Sequence, residues 1–257
     1  MNKQALRLTI LGSATSQGVP VIGCDCAACR SNDPRDNRFR NSAVFSKNGE
    51  MVVIDTGPDF RQQMLAHGFG HLAAVLYSHE HNDHVAGLDD LRPYCFRQKE
   101  NIPLYGLPRV IGDIKSRFAY AFSDNPYPGV PTLSLHEIKA GQSLQLGGMA
   151  FTTIPVLHGR LPILGFRCED IAYLTDVKFL EQAALDLLKG LRVLVLSCLQ
   201  HKEHHSHLNL EEALEVIKKI APERTILTHL SHRFPPHAQL QLELPEGVEV
   251  GYDGLRL

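Results

Sequence analysis

Within residues 75–88, four side chains with metal-ligand chemistry fall inside six consecutive positions: His79, His81, Asp83 and His84. The stretch opens as an apolar run, Val75-Leu76-Tyr77, and closes at Ala86-Gly87. Neutral imidazole and carboxylate suit zinc, manganese and iron alike. His79 and His81 are spaced by two, so an extended or tightly turning backbone sends them the same way. Asp83 and His84 then diverge, which fits two metals side by side better than one. The competing reading is a polar surface loop that happens to hold three histidines. The strand-like run before the cluster and the glycine after it count against that.

The rest of the chain places further candidates at the ends of apolar runs. Residues 7–12 read as a strand running into a small-residue loop. Residues 42–46 and 51–55 predict a hairpin around Lys47-Asn48-Gly49-Glu50. Asp55 ends its second strand, placed to brace the histidine loop rather than to bind metal. Helices are expected over 59–67, 87–94 and 109–122, and strands over 102–106, 133–138 and 143–146. The proline- and glycine-rich residues 122–131 form a loop. His67, His71 and His136 read as structural. A strand over 149–158 ends at His158. A hairpin over 165–176 ends at Asp176, which taken alone is also a fair N-cap for a helix over 178–188. Residues 192–198 are apolar almost throughout, as in a sheet covered on both faces. Four histidines follow within residues 201–207. Asn209 and Glu212 form a capping box for a helix over 211–220. A strand over 224–232 carries His229 and His232, and residues 248–257 close the fold.

Cys24, Cys26 and Cys29 lie within six residues and can wrap one tetrahedral zinc with a position open. A fourth ligand from far along the chain would staple this loop to the body, and His232 is the natural candidate. Cys95, Cys168 and Cys198 are scattered, which suggests core packing. A chain of 257 residues accommodates one large α/β domain. No linker or repeat divides it, so a single domain over 1–257 is expected, with the zinc-binding loop at 24–29. The formal net charge of −2 argues against a broad nucleic-acid surface. No apolar run reaches membrane-span length, and the N-terminus lacks a signal-peptide core. A cytoplasmic location is the expectation.

His-x-His-x-Asp-His is the signature of the metallo-β-lactamase superfamily, and the chain resembles that family at residues 79–84. The resemblance implies a four-layer αββα sandwich. It implies His79, His81 and His158 on one divalent ion, zinc or manganese, and Asp83, His84 and His229 on a second. Asp176 would bridge them, and a hydroxide between the metals would be the nucleophile. The cysteine cluster with His232 on a structural zinc, His207, and Thr228-His229-Leu230-Ser231-His232 narrow the resemblance. Nearly end to end, they resemble the phosphoribosyl 1,2-cyclic phosphate phosphodiesterases of the carbon–phosphorus lyase pathway. That branch implies hydrolysis of small cyclic sugar phosphates and a homodimer. Asp83 and His207 would be the catalytic residues, His207 acting near the phosphate or leaving group. The loops at 202–209 and 123–131 depart from that branch. Alternatives are a transfer-RNA 3′-processing nuclease, a thioester or ester hydrolase of the same fold, and a non-catalytic protein resembling the B protein of pyrroloquinoline quinone biosynthesis.

Overall fold

The computed structural model describes residues 5–68, 70–125 and 127–257; Met1 to Gln4 and Pro126 of the proline-rich loop, both touched by the sequence reading, lie outside them. The first half contains β1 (Arg7–Gly12), β2 (Ser42–Lys47), β3 (Glu50–Ile54), α1 (Phe60–His67), β4 (His71–Leu76), α2 (Asn82–Val85), α3 (Arg92–Gln98), β5 (Ile102–Gly106), α4 (Pro108–Arg117) and β6 (Leu133–Glu137). The second contains β7 (Ser143–Leu146), β8 (Met149–His158), β9 (Leu161–Cys168), β10 (Ile171–Leu174), α5 (Gln182–Leu187), β11 (Val193–Ser197), α6 (Leu210–Ile220), β12 (Arg224–Thr228), α7 (His237–Glu243) and β13 (Val248–Val250).

β1 to β6 form one sheet in chain order, and β7 to β13 form the other. In the first, β1, β2 and β3 are antiparallel neighbours, β2 and β3 joined at Asn48-Gly49, where both residues take positive φ as a two-residue hairpin turn requires. β3, β4, β5 and β6 run parallel. In the second, β7 to β10 are antiparallel and β10 to β13 parallel.

Three apolar layers explain the stacking. Phe45, Val52, Ile54, Phe151, Phe166 and Val195 fill the space between the sheets, with Phe45 and Phe151 edge to face at 5.3 Å between ring centroids. Met51 and Val53, alternating with Val52 and Ile54 along β3, instead meet Phe60, Met64, Tyr94 and Ile114 of the outer helices α1, α3 and α4. Leu188, Ala213 and Leu240 cover the outer face of the second sheet. Strand residues therefore point alternately into two different cores, and the molecule is the expected four-layer αββα sandwich.

Several boundaries differ from the sequence reading. The helix expected over 109–122 stops at Arg117 and resumes as a 3-10 turn, Ala119–Phe122. There Tyr120 donates its hydroxyl hydrogen bond to Asp89. The helix expected over 178–188 begins only at Gln182, with Glu181 as its N-cap. Residues 178 and 179 pair instead with β8, where Lys178 N donates to Leu157 O at 2.8 Å and Leu157 N to Phe179 O at 3.0 Å. Asp176 is thus no helix cap. β12 ends at Thr228, leaving His229 and His232 beyond it. α7 was not foreseen, because its start is masked by Pro235-Pro236. The capping box of Asn209 and Glu212 forms as read. Among the described residues no helix is long and apolar enough to cross a membrane.

The parallel strands give the molecule two unlike poles. Asp55, the residue-79 loop, Asp176 and His229 follow strand C-terminal ends at one pole, joined there by Ser197 and His158, the last residues of β11 and β8. The opposite pole holds the Asn48-Gly49, Gly147-Gly148 and Glu169-Asp170 turns, the first and last of them joined by the Lys47–Glu169 ion pair at 2.5 Å.

Candidate metal centre

After β4 the chain runs extended to His81 and then coils into α2, a turn of only four residues. That change of period sends His79 and His81 one way and Asp83 and His84 another. The loop is pinned from β3. Asp55, fully buried with φ of 62°, accepts from Ser78 N at 2.8 Å and from Ser78 Oγ at 2.7 Å. His84 Nδ1 lies 2.7 Å from the same carboxylate, as a donor, which leaves Nε2 for the site. Asp55 thus takes the bracing position expected of it. Gly57 is needed here because a Cβ would overlap the Asp83 carbonyl oxygen.

The second sheet supplies the other donors. His158 stands at the end of β8 and donates from Nδ1 to Ser206 O at 2.8 Å, again freeing Nε2. Asp176 and His229 follow β10 and β12 with φ of 53° and 58°. Left-handed backbone outside glycine is sparse and marks constrained, often functional, positions. The structure brings the donors into overlapping groups, each with one ligand atom per residue within 4.8 Å: His79, His81 and His158; Asp83, His84 and His229; His79, His84 and Asp176; His158, Asp176 and His207. Asp176 is the residue shared between the two sides. Its Oδ1 lies 3.1 Å from His229 Nε2 and 3.7 Å from His207 Nδ1, and its Oδ2 lies 3.4 Å from His84 Nε2.

The electrostatics are those of a cavity built for cations. Burial pushes the Asp176 and Asp83 carboxyls up, but the neighbouring imidazoles, His229 and His84 first among them, outweigh it and hold both well below the ordinary range. Burial pushes His84 down, yet Asp83, Asp176 and Asp55 hold it well above its usual value. Asp55 faces the Nδ1 side of that ring, and Asp83 and Asp176 face its Nε2 side at 3.4 Å each. Burial is the main cause that holds His79 well below its usual value, with the neighbouring His84 adding to it. Among the described residues, His84 Nε2, His207 Nδ1 and both ring nitrogens of His229 are buried without a hydrogen-bond partner. Such orphaned atoms cost about 1–3 kcal/mol each, and divalent ions on this nitrogen and carboxylate donor set would satisfy His84 Nε2 and one ring nitrogen of His229. The residues therefore fit a pair of metal ions.

The cysteine cluster forms a second group. Cys24, Cys26, Cys29 and His232 bring their donor atoms within 4.8 Å of one another. His232 Nδ1 lies 3.2 Å from Cys24 Sγ and 3.6 Å from Cys26 Sγ. Burial pushes the Cys29 thiol up to about 11. At Cys26 burial is outweighed by hydrogen bonds from the Cys29 backbone and His232, and the thiol falls to about 7. Three sulfurs and one nitrogen at these spacings fit one tetrahedral zinc. Cys95, Cys168 and Cys198 are buried in the core, as expected.

Two features escaped the sequence reading. Ser206 fixes His158 through a carbonyl, which no residue type reveals. Asn41, an ordinary asparagine before a strand, reaches Thr175 and Thr228. The only available signal was a threonine directly before both Asp176 and His229. His67, His71 and His136 contribute to none of the donor groups among the described residues. His71 opens β4 and pairs with Glu50 at 2.8 Å.

Known proteins place this architecture. The beta-lactamase superfamily domain matches residues 50–230. A diphosphatase of the PhnP family has a crystal structure 38% identical to the chain, with a TM-score of 0.92, covering 99% of this chain and 97% of that one. Zn²⁺-bound PqqB from Methylobacterium extorquens shares the fold at 20% identity, with a TM-score of 0.80 over 98% of this chain and 99% of that one. A protein of Porphyromonas gingivalis (strain ATCC BAA-308 / W83) named octanoyltransferase is 42% identical over 252 residues, 97% of this chain but 51% of its own length, so the chain spans about half of it. The matched domain, the sandwich and the near full-length likeness to a PhnP-family structure agree that the chain belongs to the metallo-β-lactamase superfamily.

Proposed function

We propose that the protein is a dinuclear-metal hydrolase of phosphodiester bonds in small molecules, five-membered cyclic sugar phosphates among them. The observation that carries this reading is the donor set: His79, His81, His84, His158 and His229 with Asp83 and Asp176 converge from both sheets around one shared carboxylate. Two divalent ions, zinc or manganese, would supply an activated water at neutral pH and neutralise charge building on a phosphoryl group. The chain's own residues do the rest. Asp55 and Ser206 aim His84 and His158. Burial pushes His207 down to about 3, so its ring is neutral at pH 7 and retains one N–H for a phosphoryl or leaving-group oxygen.

Beyond His207 the surface opens into a pocket of about 220 Å³ lined by Thr15, Ser16, Gln200, His204 and Arg233, among others, with no carboxylate. A guanidinium amid hydroxyls and amides favours an anionic substrate and gives no advantage to an uncharged lactam or thioester. The full-length likeness to a diphosphatase supports phosphoryl chemistry. The octanoyltransferase name belongs to a protein about twice as long, of which this chain matches about half. The complete donor set speaks against a purely binding role.

The test is hydrolysis of bis(p-nitrophenyl) phosphate by manganese- or zinc-loaded protein beside Asp83→Ala. Loss of a residue behind a ligand already costs 10–100-fold, so the expected drop for a ligand itself is on the order of 10²-fold or more. Absence of turnover with both ions shown present by elemental analysis would overturn phosphodiester chemistry.

A further inference from the structure

Asn41 sits just before β2, in the first sheet, and is 1% exposed. Its side chain reaches across to the second sheet. Its Nδ2 donates to Thr175 Oγ1 at 2.7 Å, and its Oδ1 accepts from Thr228 Oγ1 at 2.8 Å. Thr175 directly precedes Asp176 and donates its hydroxyl hydrogen bond to the Asp176 carboxylate. Thr228 directly precedes His229. One amide therefore touches the residue before each of the two donors held in left-handed backbone.

The amide orientation follows from the network. Thr175 spends its single proton on Asp176, so its oxygen must accept, and only the NH₂ of Asn41 can donate to it. The carbonyl then faces the Thr228 hydroxyl. All three hydrogen bonds run one way, from Thr228 through Asn41 and Thr175 to the carboxylate, so each polarises the next. Left-handed residues cost about 1–3 kcal/mol each and persist only where their surroundings over-determine them. Here one side chain, reaching from the opposite sheet, is common to the surroundings of both such residues.

We propose that Asn41 is a positioning residue of the metal centre, clamping the turns after β10 and β12 so that Asp176 and His229 stay in register with Asp83 and His84. The inference rests on the dinuclear reading given above. It differs from a purely structural role in what it predicts. Loss of packing would lower stability and leave the ratio of the two metal affinities alone. Loss of the clamp would weaken the ion held by Asp83, His84 and His229 far more than the ion held by His79, His81 and His158.

The experiment titrates metal-stripped full-length protein with manganese(II), reading electron paramagnetic resonance, which separates a spin-coupled pair from an isolated ion. Thermal melts run alongside. Asn41→Asp keeps the size and removes the donor. Thr228→Val keeps the shape and removes one arm. For the wild type two ions per chain and a coupled spectrum are expected. Asn41→Asp should retain the first ion and bind the second on the order of 10–100-fold more weakly. Thr228→Val should shift the same step by a smaller factor. Unchanged affinities in both variants, or equal weakening of both ions, would overturn the clamp while leaving the dinuclear reading standing. A wild type that forms no coupled pair would overturn the dinuclear reading, and the clamp with it. Should Asn41→Asp not fold, Thr228→Val decides alone, and an unmoved second affinity there sinks the proposal.

Discussion

His207 and His229 stack at 4.9 Å between ring centroids, 23° from parallel, yet the chemistry asks different things of them. His229 projects from a left-handed turn onto Asp176, whereas His207 comes from the histidine-rich loop and borders the Arg233 pocket. His207→Ala should therefore lower kcat by roughly 10²–10⁴, the usual worth of a positioned proton donor, while metal content per chain stays at the wild-type value. Metal lost in proportion to activity would make His207 a ligand. At this scale the sequence was legible wherever one short stretch held several functional residues. His79, His81, Asp83 and His84 declare themselves by spacing. His158, Asp176 and His229 each stand alone at a strand end, so only resemblance singled them out. Asn41 was illegible, because nothing local distinguishes it from an asparagine that starts a strand.

Most elements followed from period and punctuation, and the exceptions have local causes. Residues 178 and 179, expected in a helix, find a better partner in β8, whose backbone groups at Leu157 would otherwise go unpaired. α4 breaks where Tyr120 reaches Asp89. The cysteine loop is a different kind of element. Apart from one 3-10 turn at Pro34–Asp36, residues 13–41 contain no regular structure, and their ordering depends on a few long-range ties. The group of Cys24, Cys26, Cys29 and His232 joins positions more than 200 residues apart in sequence. A metal there contributes folding free energy directly. Cys26→Ser should reduce zinc by one per chain and lower the melting temperature by about 4–8 °C for roughly 2 kcal/mol lost, leaving the ions of the histidine site in place. A melt and zinc content equal to the wild type would refute the structural role.

At the scale of the molecule, the same N-terminal region is also locked to the C-terminal helix by a buried polar contact. Arg38 donates to His237 Nδ1 at 3.2 Å, and His237 N donates to Asp36 at 2.8 Å. His237 must be neutral to accept from a guanidinium. Burial is the main cause that pushes it down, to about 4, with Arg35 and Arg38 adding to the effect. Its value in the unfolded chain is about 6.5. Between those values the unfolded state binds the proton and the folded state does not. The stability this residue contributes is therefore complete above pH ~6.5 and is lost as pH falls toward ~4. Asp253, pushed up to about 6 chiefly by burial, works in the opposite sense as pH rises from ~4 to ~6. Comparing His237→Asn with wild type isolates the first effect. The urea midpoint of the wild type should fall more steeply between pH 7 and pH 5 than that of the variant. Parallel curves would mean that His237 is not held neutral by the fold.

The two unlike poles bear on how the unit can be joined to others. Arg7 pairs with Ser46 beside the Asn48-Gly49 turn, and Leu257 exchanges backbone hydrogen bonds with Leu8, so both ends of the described chain lie at the pole of turns. Polypeptide added at either end leaves from the side opposite the donor cluster. A longer protein that includes this unit, such as the Porphyromonas gingivalis relative of about twice the length, can thus carry a neighbour in tandem while the mouth of the metal cavity stays open to small molecules.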